Sequence, residues 1–296
     1  MEVNLIGFDS IGVRSMASAV YTDDVSIFID PAVSLAPWRF SLRPHPREVK
    51  QLEIVASKIH EVAKDVDIII ITHYHYDHHD PGRHVSIDIY NGKTVILKDP
   101  QNNINVSQRI RASKFIKLIS ERAKKILIGD GREFTCGKTK IIISRPVPHG
   151  IDTRLGYVTE VLIDDSEYRI IHTSDVEGPV TFHAVDFILK NKPSLIIVDG
   201  PPTYLVGRHF TEEVVNKSIS YLAKIISSLS NLVAVVDHHL LRDLAYKKFY
   251  DEVLKRCLSV KAKIMCAAEF MGMEPMLLEA RRRELYSAEP GSGKGE

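Results

Sequence analysis

A chain of 296 residues with 44% apolar and 26% charged residues has the make-up of an ordinary soluble globular protein and can bury a sizeable core. Its formal net charge of +1 provides no bulk attraction to nucleic acid or membrane, so a nucleic-acid-derived substrate would need a local basic patch. The three cysteines, Cys136, Cys257 and Cys266, are odd in number and form no C-x-x-C pair, which argues against a disulfide framework or cysteine zinc finger and for mostly buried thiols.

The N-terminal Met1-Glu2-Val3-Asn4 starts no basic-then-apolar leader, and no stretch approaches 18 uninterrupted apolar residues. A cytoplasmic location without a membrane span is expected. Nothing in the sequence signals an oligomeric state.

Short β-type runs come first, at 3–8, 17–22 and 25–30, with Asp23-Asp24 as a hairpin turn between the last two. Pro37, Pro44 and Pro46 make 36–46 an irregular loop. Val49, Leu52, Val55, Ile59 and Val62 recur at helical spacing, which predicts a helix over 46–64 with Pro46 in its first turn. The apolar strand 67–71 follows and runs into the most informative stretch of the chain, Thr72-His73-Tyr74-His75-Tyr76-Asp77-His78-His79-Asp80. Neutral imidazoles and ionised carboxylates are the usual ligands of zinc and similar divalent ions. On an extended backbone, residues 73 and 75 face the same side, and Asp77 and His78 follow where the chain must turn.

Beyond this loop the pattern predicts a strand at 94–98, a helix at 107–125 and a short strand at 126–128. A hairpin over 134–141 continues as a strand over 141–147, and strands at 157–163 and 168–172 flank a turn. A helix at 181–190, a strand at 195–199, a helix at 211–229 with Thr211 as cap and a strand at 232–237 come next. The last elements are a helix at 243–258, a strand at 264–268 and a basic helix at 276–286. Residues 1–286 read as one mixed α and β domain, and the Gly-rich, charged stretch 287–296 as a disordered tail.

The order His-x-His-x-Asp-His resembles the signature loop of the metallo-β-lactamase-fold hydrolase superfamily. Four further stretches resemble an archaeal branch of it: Phe28-Ile29-Asp30-Pro31, Ile104-Asn105-Val106-Ser107-Gln108, Val198 to Leu205, and Asp237 to Asp243. The resemblance implies an α+β, four-layer αββα sandwich. It also implies two divalent metal ions, for which zinc suits the ligands and manganese or iron are alternatives. His73, His75 and His149 would hold one ion and Asp77, His78 and His238 the other, with Asp175 bridging both. Asp30 would orient a ligand histidine through its second ring nitrogen.

His149, Asp175 and His238 each stand where an apolar strand meets a loop, a usual place for function on a rigid scaffold. His172 rivals Asp175 but lies within the strand pattern, so it is expected to be packed. His238 is preferred to His239 because it is nearer the strand end. If the backbone stays extended, the two point in opposite directions and one of them reaches the metal. Asp199 and Tyr204 stay outside the ligand set.

Such a site implies a hydrolase in which two metals share a hydroxide, with Asp77 also a proton carrier. No G-x-S-x-G elbow and no cysteine in a recognisable setting offers another nucleophile. His75 in place of glutamate disfavours oxygen-reducing di-iron relatives. His78 resembles two-metal phosphodiesterases, lactonases and thioesterases more than antibiotic-cleaving β-lactamases. Phosphoester or phosphodiester hydrolysis is the first expectation, with Lys98, Arg109, Arg111, Arg145, Arg208 and Arg242 as candidate phosphate contacts. Ester, lactone or thioester hydrolysis is the alternative, and a non-catalytic metal-bearing scaffold the second. The expected substrate is a small molecule or a nucleic-acid-derived one.

Overall fold

The computed structural model describes residues 1–257 and 263–289. Among these, the first sheet runs in chain order: β1 (Glu2–Phe8), β2 (Met16–Tyr21), β3 (Ser26–Ile29), β4 (Ile68–Ile71), β5 (Thr94–Leu97) and β6 (Lys125–Ile128). The pairs β1–β2 and β2–β3 are antiparallel, whereas β3 to β6 are parallel. All four isoleucines of β4 are buried, as expected of a parallel strand covered on both faces.

The remaining strands are β7 (Glu133–Cys136), β8 (Thr139–Ile143), β9 (Val147–Pro148), β10 (Tyr157–Val158), β11 (Val161–Asp164), β12 (Arg169–His172), β13 (Leu195–Asp199), β14 (Val233–Asp237) and β15 (Lys263–Met265). The second sheet has the order β15-β14-β13-β12-β11-β8-β7, and β9 and β10 pair separately. The run expected at 141–147 is thus broken, and so is the one at 157–163. Pro146 has no N–H for a continuous ladder, and the chain leaves the main sheet there.

The helices are α1 (Pro46–Lys64), α2 (Val106–Ile119), α3 (Phe182–Asn191), α4 (Glu212–Ser228), α5 (Tyr246–Arg256), α6 (Ala267–Phe270) and α7 (Arg282–Ala288). α1 and α2 cross between parallel strands of the first sheet. α3, α4 and α5 cross between those of the second and pack in sequence on one another. The inner faces of both sheets share one contiguous core, and the architecture is the four-layer αββα sandwich in a single domain. None of the helices in the described residues is long and apolar enough to cross a membrane.

Several boundaries differ from the sequence expectation. The buried face of α1 includes Leu52, Val55, Ala56, Ile59 and Ala63, while Val49 is exposed. α2 stops at Ile119, whose carbonyl accepts from Arg122 and Ala123 as the chain turns into β6. The strand expected at 264–268 ends at Met265, because Cys266 and Glu269 form a capping box that opens α6. The helix expected from 276 begins at Arg282: Leu277 has φ of 41°, and the Met276 N–H donates to the Ser10 carbonyl. Ser287 and Ala288, expected in the tail, belong to this helix. The rest of the tail from 290, and Leu258 of the expected fifth helix, lie outside the described residues. Cys266 is buried, whereas Cys136 and Cys257 are half-buried, and all three are free.

Arg282 fastens the C-terminal segment. It is fully buried, with Nε 2.7 Å from Glu48 Oε2 and Nη2 2.8 Å from Glu48 Oε1, and it also donates to the carbonyls of Leu42 and Ala36. Glu48 in turn accepts from the His45 N–H in the cap of α1. Arg282→Ala would leave a buried carboxylate without its cation, and should lower the unfolding free energy by about 3–5 kcal/mol in chemical denaturation.

Candidate metal centre

The carboxyl ends of parallel strands β3, β4, β12, β13 and β14 converge, and they supply the candidate residues. Asp30 follows β3 with φ of 50°, which turns its carboxylate toward the loop after β4. Its Oδ1 accepts from the Thr72 N–H (2.8 Å), and its Oδ2 accepts from the Thr72 hydroxyl (2.6 Å) and lies 2.7 Å from His78 Nδ1. The loop closes as a turn in which the N–H groups of His78 and His79 both donate to the His75 carbonyl. Tyr74 faces away, fully buried, its hydroxyl donating to the Lys98 carbonyl. His79 donates Nδ1–H to the His75 carbonyl and packs on Phe115, away from the other imidazoles of the motif.

The second sheet supplies the opposing side. Ser174 (φ 58°) bends the chain after β12 and approaches Thr72 Oγ1 (2.6 Å) and His73 Nδ1 (3.2 Å). Asp175 then forks. Its Oδ1 lies 2.8 Å from His78 Nε2 and 3.4 Å from His238 Nε2, and its Oδ2 lies 3.2 Å from His149 Nε2 and 3.5 Å from His73 Nε2. The ligand atoms of His73, His75, His149 and Asp175 fall within 4.8 Å of one another, as do those of Asp77, His78 and His238. His149 is set by the β9–β10 pair, its N–H donating to the Gly156 carbonyl. Gly150 beside it has φ of 79°, and a Cβ there would collide with the Glu177 carboxylate.

Two other groupings have a different character. Asp30, His73 and His78 are also close, but the Asp30 oxygens are already taken by Thr72 and His78. His239 approaches Asp175 and His238 as well, with its Nδ1 2.9 Å from Asp199 Oδ1 and 3.0 Å from Oδ2. The extended backbone expected at His238 and His239 is absent. Asp237 ends β14, and the segment His238–Arg242 is a 3-10 turn entered with His238 at φ of 55°. The two rings lie 4.5 Å apart between centroids with their planes at 78°, Asp9 Oδ2 standing 2.8 Å from His238 Nδ1 while Asp199 holds His239. His172 is buried within its strand: the Ser174 N–H donates to its Nδ1, and its Nε2–H donates to the Met16 carbonyl.

The electrostatics of the bare cluster follow from burial and crowding. Burial pulls His78 down, but the carboxylates of Asp175 and Asp30 more than offset it and push it up to about 10. Burial takes His75 down to about 3, with His149 adding to the effect. Burial would raise Asp175, yet His78, His238 and His73 hold it well below the usual carboxylate range. His73 Nε2, His78 Nε2 and Asp175 Oδ1 are buried without a hydrogen-bond partner, despite the 2.8 Å approach of the last two. Buried polar atoms are rarely left so. A donor set of imidazoles around a forked carboxylate fits divalent ions of borderline softness, so the cluster supports divalent-metal use.

Asp9 is not singled out from the sequence, and Asp199 and Arg242 are named there without their contacts to the histidines. Asp9, after β1, accepts from Arg242 Nε (2.8 Å) as well as facing His238. The buried Arg242 places Nη2 3.1 Å from His238 Nε2 and 3.9 Å from Asp77 Oδ2. Asp199 accepts from the N–H groups of Glu177 and His239, which gives it a positioning role. Asp9 and Asp199 are strand-end carboxylates like Asp30, and that position was the available clue. Of the candidate phosphate contacts, Lys98 is instead a structural ion pair, fully buried with Nζ 2.8 Å from Asp130 Oδ2. Arg109 donates to the Gln101 carbonyl, and Arg111 lies over the Tyr76 ring.

Fold and cluster together define a metallo-β-lactamase-fold protein carrying a His/Asp group able to hold metal. The solved structure of the metallo-β-lactamase-fold protein YhfI from Bacillus subtilis matches with a TM-score of 0.55 at 15% identity, covering 90% of this chain and 96% of that one. Unliganded yeast PDE1 matches with a TM-score of 0.54 at 16% identity, covering 89% of this chain and 96% of that one. No protein-family model matches. The UPF0282 protein of Sulfurisphaera tokodaii is 49% identical over 290 residues, covering 98% of this chain and 94% of the relative. That of Metallosphaera sedula is 46% identical over 295 residues, covering 99% and 95%. The chain belongs to the UPF0282 family.

Asp30→Asn tests how His78 is held. The aspartate accepts Nδ1–H and so leaves Nε2, beside Asp175, as the nitrogen that can ligate a metal once its own proton is displaced. An amide NH2 in that place favours the opposite tautomer. Zinc affinity, measured by competition with a chelator, should fall about 10–100-fold at the weaker site.

Proposed function

We propose that this chain is a two-metal hydrolase of phosphoester bonds, with phosphodiesters its first substrates. The observation that carries this reading is the Asp175 fork, which points one oxygen at His78 and His238 and the other at His73 and His149. In this assignment His73, His75, His149 and Asp175 hold one ion, and Asp77, His78, His238 and Asp175 hold the second. Zinc suits the donors, and manganese or iron are the alternatives. Two such ions, when bound, supply a water acidic enough to ionise near neutral pH and a Lewis acid for the phosphoryl oxygen.

The protein's own residues do the rest. Asp30 and Asp9 fix the orientation of His78 and His238 through their Nδ1 atoms. Asp77, with its side chain 18% exposed, is the wettest carboxylate of the proposed ligand set, and His78 keeps it ionised against the effect of burial. Its exposure, rather than its basicity, places it to relay a proton between the site and solvent. Arg242 adds a fixed positive charge beside Asp77, where a phosphoryl group would gather negative charge. This arginine favours phosphoesters over neutral esters, lactones and thioesters.

Protein purified without chelators should contain about two divalent ions per chain by elemental analysis. Asp175→Ala should remove both, and His172→Ala should retain them. His238→Ala should weaken one ion with the other largely kept, whereas His239→Ala should leave metal content intact. The opposite result in either pair would overturn the assignment. For activity, metal-loaded protein is to be assayed on bis(4-nitrophenyl) phosphate, 4-nitrophenyl phosphate, a lactone and a thioester. The phosphodiester should be turned over fastest, and Asp77→Asn should lower kcat by about 10²–10⁴. Preferential turnover of the lactone or thioester would replace the phosphoester reading.

A further inference from the structure

A recess of about 640 Å³ adjoins the centre on the side of Arg242. Arg39, Arg208, Arg242 and Arg283 line it together with Phe40 and Tyr204. The guanidinium of Arg39 lies 4.0 Å from the Tyr204 ring centroid and 4.6 Å from that of Phe40, and that of Arg283 lies 4.4 Å from Phe40. Such stacking holds the planar groups in fixed orientation and leaves their edges as donors. Nearby acids offset part of this charge, since Arg242 Nε lies 2.8 Å from Asp9 and Arg39 Nε 4.0 Å from Glu279, whereas Arg208 and Arg283 form no ion pair among the described residues. Glu279 is held mainly by Arg14 (2.6 Å to each oxygen), and the lining carboxylate of Asp243 is turned to the Thr203 hydroxyl and the Ala245 N–H while keeping its charge. Arg39 Nε is buried and has no hydrogen-bond partner. Tyr204 lies within electrostatic range of Arg14, Arg39 and Arg242, and the Arg242 guanidinium reaches to 3.9 Å from Asp77. One buried arginine therefore separates the recess from the metal ligands.

We propose that this recess binds a second phosphate of the substrate, distinct from the one cleaved, so that the substrate is a small molecule carrying at least two phosphates. The proposal rests on the phosphoesterase reading above. Guanidinium edges in a fork are suited to bidentate phosphate recognition. The volume is that of a small-molecule site rather than a track for a polymer, and the net charge of +1 gives a polymer no general attraction.

Thymidine 5′-(4-nitrophenyl phosphate) and its 3′-phosphorylated derivative offer the same scissile bond with one phosphate and with two. Wild-type, metal-loaded protein should show kcat/KM at least about tenfold higher for the derivative. In the double variant Arg208→Ala/Arg283→Ala, both at exposed positions, that preference should collapse through KM rather than kcat. Equal kcat/KM in the wild type, or a preference that survives in the variant, overturns the proposal. Faster cleavage of a 5′-phosphorylated single-stranded oligonucleotide than of the derivative overturns the small-molecule assignment. If neither nucleotide is hydrolysed, the phosphoesterase reading fails, and titration calorimetry with inorganic pyrophosphate judges the recess alone. Affinity about tenfold weaker in the double variant supports it, and equal affinity overturns it.

Discussion

A carboxylate surrounded by imidazoles organises this molecule. Asp175 is buried between the sheets, and its two oxygens reach four histidines delivered by three separate stretches of chain. An ionised carboxylate cannot be held in such a place without cations or protons nearby. In the bare protein the carboxylates pull His78 and His238 toward the protonated form, while burial pulls His73 and His75 toward the neutral one. Metal ions would have to displace those protons, so metal affinity and pH are linked at this site. Ions that bind the folded chain alone would also stabilise it. The cluster is therefore as much a structural joint between the sheets as a place for chemistry.

The same device is repeated around the joint. Asp30 stands behind His78, Asp9 behind His238 and Asp199 behind His239. Each carboxylate follows or ends a strand and takes the ring nitrogen that faces away from Asp175. That arrangement sets the tautomer and the aim of the imidazole before any ligand arrives. Arg242 balances one of these acids and a candidate ligand at once, since its guanidinium touches Asp9 and approaches Asp77.

The strands were legible because buried parallel strands are written as plain apolar runs, as in the four isoleucines of β4. The end of α1 at Lys64 was also readable, since helical spacing and Pro46 marked its two limits. What could not be read was local geometry decided by distant partners. The turn at His238 depends on a left-handed residue and on Asp9, more than two hundred residues earlier in sequence. Likewise Ala267 begins a helix because its N–H donates to Asp237 Oδ2 across the sheet. Lys98 looked like a loop cation free to meet phosphate, and only the fold brings Asp130 to it. The His-x-His-x-Asp-His run stood out from sequence because one loop carries it. Asp9 did not, because a single residue far from its partners in the chain has no pattern, and the contacts of Asp199 and Arg242 with the histidines were hidden for the same reason.

The parallel strands all leave the sandwich toward the metal centre at their carboxyl ends, and this separates the molecule into two poles. At the far pole lie the Asp23-Asp24 hairpin, the Gly137 turn and the turn at Asp164 to Ser166; Asp24 accepts from the Lys138 N–H and Asp165 pairs with the Met1 amine, and none of these contacts involves a candidate ligand. Insertions or exchanges there would leave the imidazoles undisturbed. A change of one residue in the loops after β3, β4, β12 or β14 would instead shift a donor atom. The fold thus has one end on which lineages can drift in length and another on which length is constrained, and an appended segment or a tether in a fusion protein belongs at the first.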